Sequence, residues 1–161
     1  MPEKREEGIV SMQAQMLAPA AVLVVWTIIV LFWIIPPRFG SLSKADTSSL
    51  KGKEGSRGQD LEGVLPDKAN WPAHNHTHLH EQPTLFYAVV LMITVLGPTG
   101  TDVMLAWAYV GLRIVHSLWQ ILVNKVGPRF VLFLLSTFVL IALAIRLLMI
   151  TVFADPSALP Q

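Results

Sequence analysis

Arg113 lies in the middle of an apolar run, Val103 to Val123, that is long enough to cross a bilayer. An ionisable side chain at membrane depth is costly and turns toward a bundle interior or a wet cavity. At about 100° per residue, Asp102, Tyr109, Arg113, His116, Ser117, Gln120 and Asn124 project within roughly 60° of the Arg113 direction. One side of this helix therefore sees something other than lipid, and function is expected there.

A second group with chemical potential precedes the neighbouring apolar run. In His74-Asn75-His76-Thr77-His78-Leu79-His80-Glu81-Gln82-Pro83, histidines alternate with other residues. On a continuous helix His74, His78 and Glu81 share a face at i, i+4 and i+7, while His76 and His80 lie nearly opposite. The trio is similar to a two-histidine, one-carboxylate metal set. Hydrogen bonds to a ligand or a neighbouring helix are the simpler use, so no metal is assigned.

These groups must be positioned by membrane helices. Hydrophobic residues make up 53% of the 161, charged residues only 14%, and the mean hydropathy is +0.53, a membrane composition. The length allows a single domain, 1–161, of a few spanning helices. A net charge of +1 offers no basic face for nucleic acid. With no cysteine the chain has no thiol nucleophile of its own.

Four spans are expected, at about 17–35, 79–96, 103–123 and 130–153. Pro36-Pro37 closes the first, Gly97-Pro98 the second, and Gly127-Pro128 marks the turn into the fourth. The first reads as a retained span rather than a cleaved signal, because its apolar core is long and its flank mixed in charge. Short second and third loops make the last three helices antiparallel neighbours, so the fold class is an all-α integral membrane four-helix bundle.

The first loop carries Arg38, Lys44, Lys51, Lys53, Arg57 and Lys68, and the third carries Lys125 and Arg129. The positive-inside bias puts both loops in the cytoplasm and both termini on the opposite side. Trp33, Trp71 and Trp119 would lie near the cytoplasmic interface, and Arg146 would snorkel to the far one. The Gly-, Ser- and Lys-rich loop 38–68 reads as a mobile connection, either a plain linker or a lid.

Glu81-Gln82-Pro83-Thr84-Leu85-Phe86 resembles the Glu-x-x-Pro-x-Phe segment of the MAPEG superfamily, the membrane-associated proteins in eicosanoid and glutathione metabolism. Arg113-Ile114-Val115-His116, followed by Asn124-Lys125 and Arg129-Phe130, is similar to that family's third-helix segment and its downstream basic residues. The match runs from about Trp71 to Ser136. It implies a homotrimer of four-helix protomers, glutathione as co-substrate between subunits near the cytoplasmic face, and a lipophilic partner arriving from membrane lipid.

Carried over by residue, Glu81 matches the second-span Glu and Arg113 the third-span Arg. His78 stands where the family has Asn, His74 near its Arg, and His116 at a place often taken by Tyr. Gln120 completes the expected glutathione-binding set, and Arg129, with Lys125 second, is the candidate to stabilise the thiolate. Pro83 follows Glu81 one residue sooner than in the better-known enzymes.

Two functions follow from this resemblance. One is a glutathione-dependent transferase or peroxidase acting on lipophilic electrophiles or lipid hydroperoxides. The other is a non-catalytic member that binds lipid or serves as accessory subunit to other membrane proteins. A metal-dependent enzyme using His74, His78 and Glu81 is a third. Structural uses compete at each residue: an Arg113–Glu81 pair between helices, and His116 and Gln120 as hydrogen-bonding glue.

Overall fold

The computed structural model describes residues 2–46, 48, 54–55 and 57–153, with side chains from Ser11 onward. Lys51 and Lys53, counted above toward orientation, and the side chains of Lys4 and Arg5 lie outside that description. Among the described residues the chain is helical and has no strand, only an isolated Glu62–Leu65 bridge.

Four long helices form the body: α1 (Pro2–Trp33), α4 (Gln82–Leu96), α5 (Gly100–Leu122) and α6 (Val126–Thr151), with two shorter ones, α2 (Ile35–Leu42) and α3 (Asp67–His78), between α1 and α4. Three stretches, Ser11–Leu42, Asp67–Leu96 and Val126–Thr151, are long and apolar enough to cross a membrane. The fourth long helix, α5, has 23 residues, about 34 Å, but its polar stripe lowers its hydropathy.

The outer helices α1 and α6 bury only narrow stripes. Among the described side chains of α1, from Ser11 onward, only Met16, Pro19, Leu23 and Val30 are buried, three of them at seven-residue intervals, while Val25, Ile28 and Phe32 stay exposed. On α6 the stripe is Ser136, Leu140 and Leu143. Such apolar exteriors suit lipid, which does not penalise an exposed Leu or Val. The centre is α5, packed most extensively on α6 and α1, and Phe86 of α4 stacks on its Tyr109 with centroids 4.3 Å apart.

Long-range hydrogen bonds fix the directions. Gln13 Nε2 donates to Thr94 O near one end, and Trp26 Nε1 to Ser117 Oγ toward the other. The helices therefore alternate, with α2, α3, the α5–α6 turn and the described part of the first loop gathered at one end.

Two local expectations are corrected. Pro36-Pro37 does not end the helical path, which pauses at Ile34 and resumes as α2; both prolines occupy its first turn, where a missing N–H has no intrahelical partner to lose. The histidine segment is not one helix either. It belongs to α3 as far as His78 and breaks over Leu79 to Glu81, where Glu81 has ψ −94° and Pro83 enters the first turn of α4. Glu81 is thus off the i+7 register that would align it with His74 and His78.

Candidate functional site

The break between α3 and α4 exposes the last carbonyls of α3, and in a membrane each needs a donor. Leu79 N donates to Asn75 O (3.0 Å), and His80 N to Thr77 O (2.9 Å). The His80 ring Nδ1 donates to His76 O at 2.9 Å. Arg113 Nη2 reaches across from α5 to His78 O at 2.8 Å. All four carbonyls are answered, the last by the guanidinium that the sequence singles out.

Arg113 is 1% exposed, and its Nε and Nη1 have no partner among the described residues. A buried charge with idle donors is expensive to keep unless something else is bound there. The expected Arg113–Glu81 ion pair does not form. Glu81 Oε2 is instead 2.8 Å from His78 Nδ1, within the break. His74, one turn earlier, pairs at 2.9 Å with Glu62 from the first loop.

The polar stripe on α5 divides by position. Tyr109, His116, Ser117 and Gln120 are buried with Arg113. Ser117 Oγ accepts from Trp26 of α1 and from Asn75 Nδ2 of α3, so it ties three helices together. Asn75 Oδ1 and Gln120 Oε1 are buried without partners, adding idle acceptors to the idle donors of Arg113. The Tyr109 hydroxyl lies 3.5 Å from Gln82 Oε1, and Gln82 Nε2 donates to Thr137 of α6.

Asp102 belongs to the opposite end. Its carboxylate closes a capping box with Thr99 and takes Arg146 Nε at 2.9 Å. Arg146 is therefore held by an ion pair rather than snorkelling free, and neither residue belongs to the site.

A cleft of about 220 Å³ opens beside this group, lined by His78, His116, Val126, Arg129, Phe130 and Phe133. Asn124 shapes its cationic wall: it follows the C-terminus of α5 at φ +52°, a left-handed conformation that Asn tolerates, and its Oδ1 accepts from Arg129 Nη1 at 2.7 Å. Lys125 is exposed at the N-cap of α6, outside the cleft lining; its carbonyl accepts from Trp119 Nε1 at 3.2 Å.

On the other flank of α3 a wider cleft, about 610 Å³, is lined by His74, His76, His78, Arg38, Arg57 and Glu62, among others. The first loop closes it. Arg38 Nη2 donates to Gly58 O at 3.2 Å, and a Cβ on Gly58 would come within 3.0 Å of Arg38 Nη1, so glycine permits that approach.

His78 borders both clefts, Arg129 and His116 only the smaller, and His74 only the wider. Among the described residues no group of three His, Asp or Glu side chains could hold a metal ion, and the His74–His78–Glu81 trio is split into two separate pairs. Sequence reasoning overlooked Asn75, Arg38 and Glu62. Asn75 was obscured among histidines, and nothing local announced that the loop would return to α3.

No curated protein and no solved structure gives a significant match to this chain. The family model described as the MAPEG family matches residues 16–149, from within α1 through most of α6, and includes every residue of both clefts. The chain belongs to the MAPEG family.

Proposed function

We propose that this chain is a glutathione-dependent membrane transferase or peroxidase acting on lipophilic electrophiles or lipid hydroperoxides. The observation behind this reading is the buried Arg113, which has two unused donors and holds the carbonyl of His78, a residue that walls a cleft together with His116 and Arg129. Glutathione brings two carboxylates and a thiol, and guanidinium groups match carboxylates bidentately. A nearby cation favours thiolate over thiol. Arg129 is the better candidate for that role, since it lines the cleft and Lys125 does not. The thiolate sulfur would attack an electrophilic carbon of the apolar partner and displace its leaving group, or attack the terminal oxygen of a hydroperoxide. The latter breaks the O–O bond to release the alcohol and leaves a sulfenic acid that a second glutathione converts to disulfide and water; no protein nucleophile is needed.

The binding set in this reading is His74, His78, Glu81, Arg113, His116 and Gln120, in a homotrimer whose subunits complete one another's sites. The basic loops face the cytoplasm. Because the chain has no cysteine, single cysteines at Lys125 and Gly100 should react with an impermeant label from opposite faces; labelling from one face would refute the sidedness.

Calorimetry on the detergent-purified protein tests the reading. Saturable glutathione binding with an ultraviolet thiolate signal is expected, and Arg129→Ala should lose the signal while keeping most of the affinity. No heat at millimolar glutathione would remove the reading in favour of a lipid-binding or accessory subunit. One observation favours that alternative: His74 and His78 already have glutamate partners within the chain.

A further inference from the structure

Of the four histidines from His74 to His80, His74 and His78 are matched with Glu62 and Glu81, while among the described residues no carboxylate pairs with His76 or His80. These two stand at i and i+4, with ring centroids 4.5 Å apart and planes inclined at 49°. His76 sits in the last turn of α3 and His80 in the break that follows it, which brings the two imidazoles side by side. Among the described residues His80 is exposed and His76 half-buried.

The tautomer of His80 is set by its partner. Its Nδ1 lies 2.9 Å from His76 O, and a carbonyl can only accept, so the proton is on Nδ1 and the lone pair on Nε2. A ring nitrogen held by a backbone carbonyl while the other is free is the usual state of a metal-binding histidine. With metal–nitrogen bonds of about 2 Å, two imidazoles roughly at right angles on one ion have centroids about 4.5 Å apart.

We propose that His76 and His80 form a two-histidine clip for a divalent transition-metal ion, with water filling the remaining positions. Two neutral nitrogen ligands favour copper(II) over nickel and zinc, and all three over magnesium or calcium. The clip joins the last turn of α3 to the break before α4, so a bound ion would stiffen the backbone that carries His78 and Glu81. It is independent of the glutathione reading.

The untagged full-length protein, free of glutathione, would be titrated with copper(II) and followed by electron paramagnetic resonance and thermal melting. One ion per chain with two nitrogen ligands is expected, together with a raised melting temperature. His80→Ala and His76→Ala should each weaken binding at least tenfold. His76→Phe, which keeps a ring in the half-buried position, should do the same without disturbing the fold, and copper binding should survive in His74→Ala. Equal affinity in the His76/His80 variants, loss only in His74→Ala, or no saturable binding in the parent protein would each overturn the clip.

Discussion

At the scale of the residue, Arg113 has a structural duty and an unused capacity. One nitrogen satisfies the His78 carbonyl, while Nε and Nη1 are buried without partners. These predict opposite consequences for a leucine in its place. An unpaired carbonyl costs about 1–3 kcal/mol, whereas removing a buried charge that has no ion-pair partner relieves a desolvation penalty of similar order, several kcal/mol. The two effects nearly cancel, so Arg113→Leu should melt within a few degrees of the parent while glutathione affinity falls at least tenfold. Thermal scans and calorimetry on the same sample check both halves. A protein that unfolds outright would make Arg113 a structural residue first, and unchanged affinity would remove it from the site. The α5 stripe was readable from sequence because a helix fixes angular position, and burial of Tyr109, Arg113, His116, Ser117 and Gln120 bears it out. Asp102 shares that face and is buried as well, but angle alone does not report depth, and it serves Arg146 at the other end of the helix.

At the scale of the element, the decisive feature is the interruption between α3 and α4. The 15 residues of α4 cover about 22 Å, short of the roughly 30 Å of a hydrocarbon core, so the break lies toward the membrane rather than clear of it. Proline accounts for it, because its ring clashes with the carbonyl four residues earlier, here Leu79. Pro83→Ala restores an N–H for that carbonyl and removes the clash, which lets α3 and α4 merge. The variant is expected to be no less stable in a thermal melt, yet to bind glutathione several-fold more weakly, because His78 and Glu81 rotate away from Arg113. Unchanged affinity would mean that the break positions nothing. Sequence reading kept the histidines on one helix and missed α3, which is polar, contains Pro72, and so lacks apolar periodicity. It also ended the first helix at Pro36, although a proline in a first turn forfeits no bond.

At the scale of the whole molecule, much of what covers the site was illegible because the contacts are long-range. Arg38 meets Gly58 twenty residues on, and Glu62 meets His74, through a loop whose composition reads as linker. The proposed homotrimer would answer two features, the size of the cleft and the surface around it. The cleft beside Arg113 holds about 220 Å³, below the roughly 300–1,000 Å³ of small-molecule sites, and it opens past Phe130 and Phe133, which are exposed on a single chain. A neighbouring copy laid against α6 would wall that opening and cover apolar surface at once. The protein in mild detergent should therefore run as three chains by native mass spectrometry and bind glutathione, whereas a harsher detergent that yields monomers should abolish the heat of binding and leave the helical circular dichroism intact. Loss of both signals together would trace to unfolding, which refolding into mild detergent would reveal by restoring them. A monomer that binds as tightly as the assembly would show the cleft to be complete in one chain and remove the functional reason for three.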